Sequence, residues 1–131
     1  MSRGAIREGR RDLSFTSSAQ RTDRIVPTDI VIVFTTLGAD ADATVFAHTL
    51  VEERLAACVN VLPPMISVYR WKGRVEQDRE QQLIIKTTSA SLGRLQARVR
   101  ELHPYEVPEF LVLPAVGGSD SYLTWVQESV G

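Results

Sequence analysis

A chain of 131 residues has the length of one domain, and a domain of this size buries about two-thirds of the surface that its unfolded chain exposes. Its hydrophobic share of 44%, charged share of 24% and net charge of −1 are those of a soluble globular protein. This balance predicts neither nucleic acid nor membrane as a partner, and the longest apolar run, IVIVF at 30–34, is too short to cross a bilayer. A single cysteine excludes an internal disulfide and fits a reducing compartment.

The N-terminal segment differs from the rest of the chain in charge. Residues 1–24 contain six arginines against three acidic residues, a net charge of +3, whereas the remainder carries −4. The segment is rich in Arg and Ser and has no hydrophobic period, so we predict a disordered tail over 1–24 and a single domain over 25–131. A start codon placed too early would give the same composition, whereas the acidic residues and the lack of a clear amphipathic face argue against a transit peptide.

The first regular elements are a strand and a helix. The stretch DIVIVFTT, which begins at Asp29, is β-branched and aromatic and predicts a buried central strand. Residues 40–55 predict a helix, with Asp40 and Asp42 at the end where negative charge is favourable. His48 lies off its apolar stripe, and we expect it to face solvent. The stripe consists of Ala43, Phe46, Ala47, Leu50 and Val51.

Two β-rich segments then flank Lys72-Gly73, a sequence that suits a tight turn because glycine tolerates positive φ. Pro63-Pro64 interrupts the first segment, since proline donates no hydrogen bond to a sheet ladder. The charged stretch at 76–80 does not suit a core, so the hairpin is predicted to be long and to project from the body. A two-residue turn pairs Trp71 with Arg74 and Tyr69 with Glu76.

The last part of the chain predicts a second helix, a strand and a short terminal helix. Ser89 or Ser91 caps the second helix, and the strand EFLVLPAV runs from Glu109 to Val116. Gly117-Gly118 breaks the chain before a cap at Ser119. The inward-facing residues are Leu92, Leu95, Val99 and Leu102 in the second helix, and Tyr122, Trp125 and Val126 in the terminal helix.

The order βαββαβ plus a final helix predicts an α+β, ferredoxin-like sandwich with an antiparallel sheet. Many unrelated activities use this architecture, so it does not define a function. The sequence contains none of the common nucleophile, zinc-protease or dinucleotide motifs, and we therefore predict a protein that is not an enzyme.

The stretch HPYEVPEF, residues 103–110, is the strongest candidate for chemistry. Pro104 ends the second helix, and a turn brings the Cα atoms of His103 and Glu106 within about 7 Å, close enough to share a proton or a metal ion. Cys58 is a possible third, soft ligand. Two or three ligands fall short of a strong site, so another subunit would have to contribute. The alternative is a rigid turn histidine and a small buried thiol.

Five stretches, in this order and spacing, closely resemble the CutA divalent-cation-tolerance proteins over about residues 29–130. They are LVEERLAACVNVLP, SVYRWKG, IIKT, HPYEVPEF and YLTWV. The resemblance implies a ferredoxin-like protomer in a tight cytoplasmic homotrimer, built by extended hairpins and similar in assembly to the P-II-type signalling trimers. It also implies tolerance of divalent metals, with copper or another divalent cation as the ligand, and no established catalytic activity.

Carried over residue by residue, the resemblance implies Cys58, His103 and Glu106 as metal ligands. It further implies an inter-subunit cleft lined by Tyr69, Trp71, Lys86, Tyr105, Glu109 and Trp125. The sequence thus predicts a trimeric protein that binds divalent cations and contributes to the response to metal ions. The alternative is a P-II-like sensor or scaffold, in which Tyr69, Lys86 and Tyr105 receive an organic or anionic ligand.

Overall fold

The computed structural model describes residues 23–24 and 28–131. The predicted disordered tail therefore lies outside the described residues, except for the backbone of Asp23–Arg24, which pairs with Gly118–Ser119. The strands are β1 (Asp23–Arg24), β2 (Ile30–Gly38), β3 (Cys58–Val61), β4 (Met65–Trp71), β5 (Arg74–Thr88), β6 (Leu111–Pro114) and β7 (Gly118–Ser119). The α-helices are α1 (Ala43–Glu52), α2 (Leu92–Leu102) and α3 (Asp120–Ser129), and a 3₁₀ turn (Ser89–Ser91) precedes α2.

The main sheet is antiparallel and has the order β3-β5-β2-β6, with β4 paired to the first half of β5. Strand β2 lies in the centre, as its β-branched sequence predicts, and each of the two crossover connections contains one helix. This confirms the predicted ferredoxin-like α+β fold with its extra C-terminal helix. Among the described residues, no helix is long and apolar enough to span a membrane.

The core lies between one face of the sheet and helices α1 and α2. Asp42 caps α1, since its carboxylate accepts a hydrogen bond from the backbone N–H of Val45. The predicted stripe of α1 is buried except for Val51, which is 40% exposed at the last turn, and His48 faces solvent as expected. The largest fully buried side chains of this core are Val33, Leu50, Leu83, Ile85, Leu95 and Val99.

The C-terminal region is less regular than its sequence predicts. The strand that we expected from Glu109 to Val116 is confined to Leu111–Pro114, because only these residues pair with β2. Ser119 caps α3 as predicted, accepting a hydrogen bond from the backbone N–H of Tyr122. In α3 the fully inward residues are Leu123 and Val126. Tyr122 and Trp125 pack beside them, partly buried.

The predicted hairpin is present as an arm, which we define as β4 together with residues 74–80 of β5. Lys72 (φ 51°) and Gly73 (φ 81°) form the two-residue turn. The register pairs Trp71 with Arg74 and Tyr69 with Glu76, as expected. The break between β3 and β4 falls at Leu62–Pro64, which confirms the predicted effect of the two prolines.

In the described part of a single chain, apolar surface is open to solvent on the arm and on the sheet. One face of the arm carries Ile66, Val68 and Val75, which are 63–65% exposed. The sheet face opposite the helices carries Leu111 and Leu113, which are 55% and 41% exposed and lie beside Phe34 and Ile32. Contiguous exposed apolar surface of this kind is typical of protein–protein contact.

Candidate functional site

A groove of about 910 Å³ lies where the arm meets the body. One wall is the arm, the floor is the end of β2, and the other wall is the loop after α2. The groove lies on the face of the sheet that points away from α1 and α2. Side chains alternate between the two faces of a strand, and those at the odd positions of β4 face the groove. Its lining from the arm consists of Met65, Ser67, Tyr69, Trp71, Asp78, Arg79 and Glu80. The body contributes Thr36, Gly38, Asp40, Gln82 and residues 105–109.

His103 fixes the loop wall of the groove. Its imidazole is buried, and Nε2 lies 2.5 Å from the carbonyl oxygen of Thr36. Since a carbonyl oxygen only accepts, Nε2–H donates there, and Nδ1 accepts from the backbone N–H of Tyr105 at 3.1 Å. The rings of His103 and Tyr105 are also in edge contact, with centroids 4.7 Å apart. Both ring nitrogens are therefore used to tie the loop to β2.

Tyr105 and Glu80 meet across the groove. The Tyr105 hydroxyl donates to Glu80 Oε2 at 3.3 Å, and the residue Glu80 is only 8% exposed. Desolvation and the nearby charge of Glu80 raise the pKa of Tyr105 above its usual value, so it stays a hydrogen-bond donor at neutral pH. Gly38 is opposite Glu80 in the register and adds no side chain to the floor.

A second tyrosine–carboxylate pair lies further along the arm. The Tyr69 hydroxyl donates to Asp78 Oδ2, and this hydrogen bond, together with the surrounding negative charge, raises the pKa of Tyr69 to about 12. Tyr69 and Asp78 are diagonal neighbours on adjacent strands, since Asp78 pairs with Ser67, two positions before Tyr69. Tyr69 on the arm and Tyr105 on the loop thus both line the groove with hydroxyls that already donate to carboxylates.

Glu109 is held at the entrance of the groove by the body. Its carboxylate accepts from Gln82 Nε2 at 3.2 Å, and its backbone carbonyl accepts from the buried hydroxyl of Thr35 at 2.7 Å. Gln82 also donates to the carbonyl of Thr35 at 2.8 Å. These bonds connect the loop to β2 and β5, so that the carboxylate of Glu109 has a defined position.

The groove is strongly acidic. Five of its lining residues carry carboxylates: Asp40, Asp78, Glu80, Glu106 and Glu109. The cationic residue of the lining is Arg79. It pairs with Ile66 in the register, so by the alternation of side chains it lies on the opposite face of the arm. Oxygen-rich, negatively charged surfaces attract cations and repel anions. This disfavours the anionic ligand that the sequence left open for the cleft.

Of the nine residues predicted for the cleft or the metal site, the structure brings five together in the groove, bonds His103 to the groove loop, and separates the other three from them. Tyr69, Trp71, Tyr105, Glu106 and Glu109 all line the groove. Within the single chain, three others lie elsewhere: Lys86 donates to Asn60 at 2.8 Å, Trp125 packs against Tyr122 in α3, and Cys58 is the first residue of β3.

The three predicted metal ligands do not meet within one copy. Cys58 of β3 pairs with Lys86 of β5. Thr36, whose carbonyl binds His103, pairs with Gln82 of the same strand β5. Four positions along a strand separate these two pairs by about 13 Å. Within the described part of the chain, no three His, Cys, Asp or Glu side chains are arranged to hold a metal ion. A single copy therefore does not fit a complete metal site.

Sequence reasoning missed the carboxylates of Asp78 and Glu80. The stretch at 76–80 is so polar that it predicts an exposed tip, yet Glu80 is buried where the arm enters the body. The predicted hairpin register contained the missing signal. It places Asp78 opposite Ser67 and Glu80 opposite Met65, on the same face as Tyr69.

The fold and the groove define a ferredoxin-like α+β protein with a projecting arm and an acidic, aromatic groove at the base of that arm. Residues 31–129 match the family model described as CutA1 divalent ion tolerance protein. This match covers most of the chain, and the chain belongs to the CutA1 family.

Curated relatives agree with this assignment. The divalent-cation tolerance protein CutA of Thermus thermophilus is 46% identical over 100 residues, which are 76% of this chain and 97% of that protein. The chloroplastic protein CutA of Arabidopsis thaliana is 40% identical over 116 residues, 88% of this chain and 64% of that protein. Among solved structures, CutA1 from Thermus thermophilus (45% identity, 78% of this chain and 99% of that chain) and CutA1 from Oryza sativa (39% identity, 82% and 96%) both align with a TM-score of 0.75.

Proposed function

We propose that the chain forms a cytoplasmic homotrimer that binds divalent cations and contributes to the tolerance of metal ions, without catalysing a reaction. The observation that carries this proposal is the arm, which presents uncovered apolar side chains on one face and a carboxylate groove on the other. Family membership supports both parts, since the relatives are named for tolerance of divalent cations.

The aliphatic face of the arm supplies the driving force for assembly. Ile66, Val68 and Val75 leave nearly two-thirds of their surface in solvent, so covering them would stabilise an assembly by about 3–6 kcal/mol per copy. A contact between the arm of one copy and a different surface of the next is head-to-tail, and such contacts close into a ring when the rotation between successive copies adds up to a full turn. Three copies sharing such a contact would form a closed ring.

Light scattering tests the assembly. The full chain is expected at about three times 14.6 kDa, and Val68→Lys is expected to shift the mass toward one copy. Val45 is the matched control, because it is an exposed valine of α1 outside the groove and the arm, and Val45→Lys should leave the mass unchanged. A mass of one chain for the unmodified protein at micromolar concentration would refute the homotrimer.

For the metal ion, Glu106 is the best placed of the three predicted ligands. It lines the groove, and divalent cations that prefer oxygen ligands bind carboxylates. His103 would have to give up one of its two hydrogen bonds in order to bind a metal ion, and Cys58 lies at another level of the sheet. We therefore propose that Glu106 binds the ion together with groups from a neighbouring copy.

Titration of chelator-stripped protein with Cu²⁺ and Zn²⁺ tests this role. Glu106→Gln is expected to weaken binding about tenfold or more, as is usual when a charged ligand is removed. Glu52→Gln, an exposed carboxylate on α1, should bind like the unmodified protein. His103→Ala and Cys58→Ser separate the remaining ligand assignments, and unchanged affinity in all three site variants would remove the whole predicted set.

A second candidate function is favoured by the shape of the groove. Its volume is in the range of small-molecule sites, and it has aromatic walls with a few fixed polar groups. On this hypothesis the protein is a sensor of a small organic ligand. A thermal-shift screen in the presence of a chelator tests it, and a screen in which no organic compound raises the melting temperature would count against it.

A further inference from the structure

We propose that Arg54 is a clasp that holds the C-terminal end of α3 on the body, and that α3 opens from this end as a unit separate from the main core. This conformational device does not depend on the metal ion or on the small ligand considered above. Three observations carry it: the left-handed backbone of Arg54, its two hydrogen bonds to the end of α3 and the residues after it, and a separate apolar cluster beneath α3.

Arg54 has a backbone conformation that a non-glycine residue adopts only at a cost. Its φ is +59°, in the left-handed region, and it directly follows Glu53, the cap residue of α1. The N–H of Arg54 donates to the carbonyl of Val51, and the N–H of the next residue donates to the carbonyl of Leu50, both at 3.0 Å. These bonds close the last turn of α1, at a position where glycine is the usual residue because it has no Cβ. An arginine there indicates a role for its side chain that offsets the strain.

Both the side chain and the carbonyl of Arg54 bind the end of α3. Nη2 donates to the carbonyl of Glu128 at 2.9 Å, and the carbonyl oxygen of Arg54 accepts from the N–H of Gly131 at 3.0 Å. The last carbonyls of a helix have no partner within the helix and carry partial negative charge. Helix α3 has no basic residue in its last turn, and Val130 ends it in an extended conformation (φ −113°, ψ 148°). Arg54 therefore supplies, from the end of α1, a cation and a donor that the last turn of α3 does not itself contain.

Among the described residues, the apolar contacts of α3 form a cluster apart from the main core. Leu123 and Val126 are buried with Ile30 and Ala57, whereas the main core lies between the sheet and the other two helices. The partly buried residues at the margin of this cluster are Ala115, Tyr122, Trp125 and Val130. Regions that bury few apolar side chains open locally at a lower free energy than the core of the same protein. We therefore expect α3 to open while strands β2 and β5 stay paired.

The two ends of α3 are held differently. Residues 115–119, which precede the helix, are fixed to the body by the hydrogen bond from the N–H of Ala115 to the carbonyl of Ile30 and by strand β7, which pairs with β1. At the last turn, the polar contacts with the body within the described residues are the two that Arg54 makes. The first end is therefore the hinge, and the last turn is the end that is released. Opening uncovers Ile30 and Ala57, the buried body residues of this cluster.

Hydrogen exchange of the full chain, followed by mass spectrometry, tests the clasp. The protein is kept in its own assembly state, at one concentration and with a chelator, because assembly and metal binding each alter opening. In the unmodified protein, we expect the amides of residues 124–129 to exchange at least about tenfold faster than those of β2 and β5.

Arg54→Gly separates the clasp from the role of Arg54 in ending α1. Glycine removes the guanidinium and at the same time relieves the left-handed strain. Exchange in residues 124–129 should become about threefold faster or more, whereas exchange in α1 should stay unchanged or become slower. Arg54→Lys keeps a cationic donor and should accelerate α3 by less than about twofold. Arg100→Ala is the matched control, since it removes an exposed arginine of α2 and should not change exchange in α3.

Two results would overturn the proposal. If Arg54→Gly leaves exchange in α3 unchanged, or accelerates α1 and α3 together, Arg54 only closes the last turn of α1 and is not a clasp. If α3 exchanges no faster than β2 and β5 in the unmodified protein, the helix does not open separately. Melting curves check that the variants fold, and Arg54→Met, which keeps the length of the side chain without its charge, repeats the test with the same expected acceleration of α3 should the glycine variant not fold.

Discussion

Replacing His103 by alanine distinguishes a histidine that holds the groove loop from one whose main role is to bind a metal ion. The imidazole is 7% exposed and bonds to the carbonyl of Thr36 and the backbone N–H of Tyr105. Alanine removes both bonds and leaves the buried carbonyl of Thr36 and the part-buried N–H of Tyr105 without these partners. We therefore expect a loss of stability that is present even when no metal ion is bound.

The size of this loss follows from the two bonds. An unsatisfied buried polar group costs about 1–3 kcal/mol, and water that enters the vacated space near the groove relieves part of the cost. We expect His103→Ala to lower the free energy of unfolding by about 2–4 kcal/mol. His48 is the matched control, because it faces solvent on α1 and alanine is a better helix former, so His48→Ala should change stability by less than about 0.5 kcal/mol.

Urea unfolding measures both variants at one fixed protomer concentration and in the presence of a chelator, because assembly and metal binding each alter apparent stability. Trp71 lies at the groove, and its fluorescence reports on the loop wall as well as on global unfolding. If His103→Ala matches His48→Ala within about 0.5 kcal/mol, the two hydrogen bonds do not hold the loop and the reasoning is refuted.

Three further predictions concern the arm and the first helix. Gly73→Ala should destabilise the turn by about 1 kcal/mol in urea unfolding, because φ is +81° and no described residue lies near enough to clash, so only backbone strain is added. Ultraviolet titration should show Tyr69 ionising near pH 12, and Asp78→Asn should bring the pKa of Tyr69 back toward 10. Because the pKa of Tyr69 is raised in the folded state, any stability that its hydrogen bond contributes is lost as the pH rises from 10 to 12. Asp42→Ala should cost about 1 kcal/mol of unfolding free energy by removing the cap of α1, and an unchanged midpoint would contradict that role.

Local patterns were sufficient for most of the fold. The Lys72-Gly73 turn determined the register of the whole arm, because a two-residue turn allows one pairing of the two strands. The side-chain period of two then determines which residues share a face. The helical stripe of α1 failed only at Val51, which is 40% exposed in the last turn of the helix. Strand β6 is shorter than predicted because β2 offers pairing partners to four of its residues only.

The groove was harder to predict because its contacts join distant parts of the chain. The His103–Thr36 bond spans 67 positions and the Tyr105–Glu80 bond spans 25. No local pattern reports such contacts, so the turn at 103–106 predicted a short distance between imidazole and carboxylate but not the groups that bind the imidazole. Lys86 illustrates the same limit, since its sequence position did not reveal that its ammonium bonds to Asn60.

Strand β5 runs through the body and the arm without a break, pairing with β3 at one end and β4 at the other, whereas Leu62–Pro64 separates its two partners. A one-residue insertion within β5 would reverse the side-chain alternation of the arm relative to the body, moving Tyr69 and its partners to the wrong side. An insertion at Leu62–Pro64 would leave both pairings intact. Changes of chain length during the evolution of this molecule are therefore expected at that link and to be rare within the long strand.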